Sequence, residues 1–272
     1  MTAILPRATS PVVPASSLRE RLEAGERAIC TMVGELRQPS VMQLLANAGY
    51  DAVIVDGEHG AFSNETIGDL CRAASLVGVT PIVRVPGLAY EPIAQALDGG
   101  AQAVMVPRVT GAADAARAVA FAKYPPVGER GCAFGRGQTR FRSGPIAETM
   151  AAANRESLVV VQIETREALA EIDEITALPG VEIAFVGPTD LSIALGIAGQ
   201  LDHPDLVHAI ERVASSCRNA GIWSALYLGD LELAQRYATT IDLICHSNEV
   251  TLLANAASEA VQAIRKAASQ KP

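Results

Sequence analysis

Eight short runs of β-branched and aliphatic residues, each leading into a helical pattern, recur along the chain at intervals of about 25–35 residues. Strands are expected at Ala28–Leu36, Asp51–Asp56, Thr80–Val85, Ala103–Val106, Leu158–Ile163, Ile183–Val186, Trp223–Leu228 and Ile241–Cys245. Helical periodicity fills Ser40–Ala48, Asn64–Leu76, Glu91–Leu97, Ala112–Lys123, Ile146–Ala153, Arg166–Leu178, Asp205–Ala220, a stretch reaching Tyr237, and Glu249–Ala268. The strand runs are apolar throughout rather than alternating, as a parallel sheet buried on both faces requires. A doubly wound open sheet would carry a glycine-rich turn after its first strand, and GELRQPS at 34–40 is not a GxGxxG. The pattern predicts an α/β fold, a single-domain (β/α)8 TIM barrel over 18–272, for which 272 residues is an ordinary length.

Apolar residues make up 49% of the chain and aromatics only 4%, which suits helices packed closely on a parallel sheet better than a sandwich of bulky side chains. The net charge of −8 argues against nucleic acid as a partner, because phosphate contacts need clustered Lys and Arg. A small anion remains acceptable, since one local arginine or metal reverses the field inside a cleft. Residues 1–17 carry three prolines and no apolar run of signal-peptide length, so they read as a flexible arm. No stretch is long and apolar enough to span a membrane. The five cysteines are scattered without CxxC spacing, which fits reduced thiols in a cytoplasmic enzyme. One long loop, Tyr124–Pro145, is rich in Gly, Pro and Arg and reads as a functional loop or lid.

In such barrels chemistry sits at the carboxyl ends of the strands. Five strands here finish in residues that a buried core would not select: Asp56-Gly57-Glu58-His59, Arg84, Pro107-Arg108, Gln162-Ile163-Glu164, and Gly187-Pro188-Thr189-Asp190. Glu164 follows an unbroken apolar run, and an unpaired carboxylate there would cost several kcal/mol, on the order given for buried charges. It needs a cation, either an arginine such as Arg166 or a metal. Asp190 is in a similar position on the next strand. Two carboxylates without His or Cys partners form a hard oxygen site suited to Mg²⁺, Mn²⁺ or Co²⁺. Arg84 suits bidentate binding of a carboxylate or stabilisation of an enolate oxygen, with a structural salt bridge as its other use. His59 is a candidate proton shuttle, with Asp56 orienting its ring. His246 ends the eighth strand, within reach of the mouth, but its neighbours suggest no role. No lysine ends any strand, so aldol chemistry here would not use a Schiff base, and no organic cofactor is expected.

The strings VDGEHG, VRVPG, AVMVPRV, KYPPVGERG, VVVQIETREAL and FVGPTDLSIALG resemble the metal-dependent class II aldolases of the 4-hydroxy-2-oxoheptane-1,7-dioate and 2-keto-3-deoxy acid type, within the phosphoenolpyruvate/pyruvate barrel superfamily. The resemblance runs from about Gly34 to Ala257 and implies reversible cleavage of a 4-hydroxy-2-oxo acid to pyruvate, or a close 2-oxo acid such as hydroxypyruvate, plus an aldehyde. It implies Glu164 and Asp190 as metal ligands, Arg84 on the pyruvyl oxygen, and His59 with Asp56 in proton transfer. Gln162 would touch pyruvate, and backbone N–H groups near Gly187, Thr189 and Asp190 would hold its carboxylate. Glu58 accompanies the motif behind them. The resemblance also implies a homohexamer with helix exchange between paired subunits, and a role in catabolism of aromatic compounds or sugar acids. Departures at Thr189, at Arg108, in CAFGRGQTRF and at HSNE put the aldehyde in question; Arg108, Arg136, Arg140 and Tyr227 are candidates for setting it. Two other readings stand beside this one. The first is a superfamily lyase acting on a larger acyl or dicarboxylate substrate. The second is a catalytically silent barrel that takes up no Mn²⁺ or Mg²⁺.

Overall fold

The computed structural model describes residues 18–141 and 144–269. The proline-bearing arm expected over 1–17 lies outside them. Eight parallel strands close into a barrel in sequence order: β1 Ala28–Val33, β2 Ala52–Asp56, β3 Thr80–Arg84, β4 Ala103–Val106, β5 Leu158–Ile163, β6 Ile183–Val186, β7 Trp223–Leu228 and β8 Leu243–Asn248. The closed parallel arrangement bears out the barrel.

The strands are apolar on both faces because each face meets a separate core. Val53 and Val55 of β2 point out to the helices, whereas Ala52 and Ile54 point into the lumen. The lumen is filled by Cys30, Ile54, Ile82, Met105, Val160 and Phe185, so it is a packed core and no pore. One short helix absent from the expected set, α1 (Leu18–Glu23), plugs its lower end with Leu18 and Leu22.

The surrounding helices are α2 (Ser40–Ala48), α3 (Asn64–Leu76), α4 (Tyr90–Gly99), α5 (Ala112–Ala122), α6 (Ile146–Glu156), α7 (Arg166–Ala170), α8 (Ile172–Thr176), α9 (Pro188–Ala194), α10 (Pro204–Ala220), α11 (Leu231–Tyr237) and α12 (Glu249–Ser269). The single helix expected over 166–178 breaks at Glu171, whose carboxylate accepts the Ala112 N–H. Helix α9 was not anticipated; its proline-led first turn carries Asp190 directly off β6.

The closing helix does not fold back as the others do. Only Glu249 of α12 is buried, and Ile264 is 69% exposed. The outer face of β1 and β8 is correspondingly bare: Ile29 is 49% exposed and lines an apolar groove with Tyr50, Leu231, Ala234 and Ile244. Among the described residues no helix is long and apolar enough to cross a membrane.

Candidate active site

A cavity of about 390 Å³ opens at the carboxyl ends of the strands, with Asp56, His59, Arg84, Gln162, Gly187 and Asp190 among the residues around it. The polar strand ends do converge.

Asp56 and Arg84 end β2 and β3 as register partners. Arg84 Nε donates to Asp56 Oδ1 at 2.9 Å and Nη2 donates to Oδ2 at 2.7 Å, while Nη1 lies 3.1 Å from Glu58 Oε2. Burial would raise the Asp56 carboxyl, but the hydrogen bonds and charge of Arg84, with the N–H groups of His59 and Glu58, hold it below the usual carboxylate range. Burial would likewise lower the guanidinium, and Asp56, Glu58 and Glu164 raise it instead. Both groups therefore stay charged.

This pairing corrects the expected role of Asp56. It does not orient the His59 ring; it meets only the His59 backbone N–H, at 3.2 Å. The imidazole stands 72% exposed at the rim, and the carboxylate near it is Glu58, at 3.8 Å from Nε2.

Glu164 lies just past β5 and is 5% exposed. Oε1 accepts the Arg108 N–H at 2.8 Å, and Oε2 accepts from the Gln162 amide. Arg108 adopts a left-handed backbone conformation (φ 53°) at this turn, and its side chain is exposed, so here it serves Glu164 through its main chain. Arg166, the other expected partner, instead donates to the Ala194 carbonyl. Burial raises the Glu164 carboxyl, and the nearby Asp190 and Glu58 charges raise it further, against the Arg108 and Gln162 hydrogen bonds. No arginine or lysine forms an ion pair with Glu164 among the described residues.

Gly187 lets β6 approach this carboxylate: a Cβ there would sit 2.8 Å from Glu164 Oε2 and 2.9 Å from Gln162 Nε2. Its own N–H donates to Ile163 O at 3.3 Å, so it is committed to the sheet and not to a ligand. Thr189 and Asp190 are exposed in the first turn of α9. Gln162 is buried, and its Oε1 has no hydrogen-bond partner.

Among the described residues no cluster of three or more His, Cys, Asp or Glu is disposed to hold a metal. The donor set is the two-carboxylate pair Glu164 and Asp190, beside the unpartnered Gln162 oxygen. Uncompensated charge on hard oxygens fits a divalent cation whose other positions go to water or substrate.

The remaining wall comes from β1, β7 and β8. Tyr227 and Asn248 face the cavity. Glu249, 5% exposed, accepts through Oε1 the N–H groups of Gly34 (2.9 Å), Glu35 (2.7 Å) and Leu36 (3.0 Å), pinning the β1–α2 loop beside Asp56 and Gly60. Reading the eighth strand as ending at Cys245 hid this group. Extending the strand-end argument to HSNE would have found it.

Three expectations about the mouth are corrected by position. His246 turns outward into the groove between α2 and α11, with Nδ1 3.1 Å from Leu228 O. Arg136 and Arg140 lie at the opposite end of the barrel: their loop packs on the last turn of α4, where Gln138 donates to Asp98 at 3.2 Å. The loop leaves the end of α5 and leads into α6 ahead of β5, and its seat on the end of α4 places it at the amino ends of the strands. Lys123 is buried at that same end, donating to the carbonyls of Asn154 and Ser157 and paired with Glu182 at 2.9 Å, and among the described residues no lysine lines the cavity.

Comparison with known proteins agrees with this fold. The family model described as HpcH/HpaI aldolase/citrate lyase matches residues 32–267. The chain is 36% identical over 226 residues to a hydroxypyruvate/pyruvate aldolase of Pseudomonas aeruginosa, covering 83% of each chain. It is 35% identical over 243 residues to a 4-hydroxy-2-oxo-heptane-1,7-dioate aldolase of Escherichia coli, covering 89% of this chain and 92% of that one. The crystal structure of an HpcH/HpaI aldolase from Desulfitobacterium hafniense superposes with a TM-score of 0.88 at 32% identity, over 95% of this chain and 98% of the other. The chain belongs to the HpcH/HpaI aldolase/citrate lyase family and is a carbon–carbon lyase.

Proposed function

We propose that the cavity reversibly cleaves a 4-hydroxy-2-oxo acid to pyruvate, or a close 2-oxo acid such as hydroxypyruvate, and an aldehyde, with a divalent cation (Mg²⁺, Mn²⁺ or Co²⁺) held by Glu164 and Asp190. The observation that carries this reading is the buried Glu164 carboxylate, in no ion pair with an arginine or lysine among the described residues, beside Asp190 and a guanidinium already fixed in place. Bound there, the cation supplies Lewis acidity to the 2-oxo group and lowers the cost of the enolate.

The chain's own residues do the rest. A guanidinium has five N–H groups, and Asp56 and Glu58 engage three of Arg84's, leaving two to donate to the oxygen that gains charge. Gln162 abuts the 2-oxo acid, and the first-turn N–H groups at Thr189 and Asp190 receive its carboxylate. Gly187 contributes clearance alone. In cleavage, the C4 hydroxyl loses its proton to His59 at the rim. The C3–C4 electron pair moves to C3 as the enolate, the aldehyde leaves, and C3 is then protonated. Glu164→Ala and Asp190→Ala should each abolish pyruvate release and Mn²⁺ uptake measured by calorimetry. Full turnover after exhaustive chelation would remove the cation from this reading.

The partner proposed for the bare α12 and the groove between α2 and α11 is a second copy of the chain, with α12 exchanged and a hexamer as the full assembly. Exposed apolar residues on both surfaces support it. Light scattering on the chain cut before Glu249 should show loss of the assembly. The compartment proposed is the cytoplasm, which the unpaired state of all five cysteines supports.

A further inference from the structure

The part of the cavity that no step above uses is the wall built from Tyr227 on β7, Asn248 at the end of β8, Glu35 on the β1–α2 loop, and Glu249. Its chemistry is selective. Asn248 Oδ1 accepts the Thr251 N–H at 2.9 Å, which fixes the carboxamide at the start of α12. The Tyr227 phenol, half-buried, lines the cavity beside it and has an O–H to donate. Burial, the leading cause, and the nearby Cys245 push the phenol up, against the Asn248 hydrogen bond and the Arg84 charge. The wall thus presents a neutral donor.

Acceptors stand beside it. Glu249 uses Oε1 for three main-chain N–H groups, and Glu35 is exposed on the same loop. Among the described residues the one guanidinium around the cavity is Arg84, already in contact with Asp56 and Glu58. A hydroxyl group placed here would find a donor and an acceptor, whereas a carboxylate would meet two like charges.

Resting on the aldolase reading above, we infer that the aldehyde partner is a short, uncharged hydroxyaldehyde whose hydroxyl is bound between Tyr227 and the Glu35–Glu249 carboxylates, and that aldehydes bearing a carboxylate are rejected. The 2-oxo acid occupies the Glu164–Asp190–Arg84 side, and the hydroxyaldehyde occupies the β7–β8–β1 side. An apolar aldehyde of the same size leaves the phenol and carboxylates without partners, which is the condition under which hydroxyl selectivity is large.

The test uses the Mn²⁺-loaded enzyme with pyruvate as donor and compares kcat/KM for glycolaldehyde, its isostere propanal, and succinic semialdehyde. The wild type should favour glycolaldehyde by at least about tenfold over each of the others, a factor worth one hydrogen bond. Tyr227→Phe should pull the glycolaldehyde-to-propanal ratio toward one. Glu35→Gln should narrow the gap to succinic semialdehyde. A wild-type ratio near one, a preference for succinic semialdehyde, or a Tyr227→Phe ratio equal to wild type would each overturn the inference. Exchange of the pyruvate methyl protons in deuterium oxide separates the two levels. If the wild type shows no exchange, the aldolase reading itself fails. If exchange proceeds without aldehyde discrimination, only this inference does.

Discussion

Asp56 and Arg84 are register partners on β2 and β3, and their side chains close a two-point ion pair, 2.9 and 2.7 Å long, at the floor of the cavity. Strand register alone brings them together; 28 residues of sequence separate them. The pair aims the remaining guanidinium N–H groups into the cavity. Because it is partly buried, removing one partner leaves the other charge poorly compensated.

Asp56→Asn should therefore lower kcat by about 10- to 100-fold and cost about 1–3 kcal/mol of stability. The Asp56 carboxyl lies below its unfolded value, so its contribution is present above the ordinary carboxylate range and is lost as pH falls through its depressed value. Melting curves recorded from neutral to acid pH should show a steeper acid limb for wild type than for the variant. Superimposable limbs would mean the pair does not stabilise the fold.

Glu164 behaves in the opposite sense. Its folded-state carboxyl is raised, so the folded chain binds the proton more tightly than the unfolded one, and stability declines as pH rises through that window. Metal-free Glu164→Gln should melt higher than metal-free wild type at neutral pH, with the difference vanishing in acid, while losing cation-dependent activity. Calorimetry in chelator across pH checks the first part, and a lower melting temperature for the variant at neutral pH would refute it.

At Gly187 the added methyl group of alanine would collide with Glu164 and Gln162. Overpacking of this kind costs about 1–3 kcal/mol, and displacing the carboxylate should cost roughly 100-fold or more in activity. Weaker Mn²⁺ binding in a folded variant is the expected signature; unchanged affinity would show that Glu164 does not need the gap.

Glu249→Ala removes the acceptor of three main-chain N–H groups. Hydrogen bonds to a charged group are worth about 1.5–3 kcal/mol each, so the β1–α2 loop should loosen even if water recovers much of that. Amide exchange at Gly34, Glu35 and Leu36 should accelerate at least about tenfold, with KM rising more than kcat falls. Undisturbed exchange at those three amides would show that the loop is held by something else.

Much of this enzyme can be read along the chain because burial acts locally. A strand covered on both faces admits only apolar residues, so DGEH, Arg84, QIE and GPTD stood out at the strand ends, and the eightfold recurrence set the barrel. What the sequence left open depended on which side chains meet across the fold. Asp56 grips Arg84 because β2 and β3 share a register, although His59 is its nearer neighbour along the chain. His246 faces outward because β8 runs on to Asn248, and its register with β1 shifts between Cys30 and Met32, leaving Glu249 to turn inward just past it. Arg136 and Arg140 belong to the far end because their loop, which links α5 to α6, packs on the end of α4. Local composition dictates what each segment must bury; the closure of the sheet, a relation among all eight strands at once, decided which charges share the cavity.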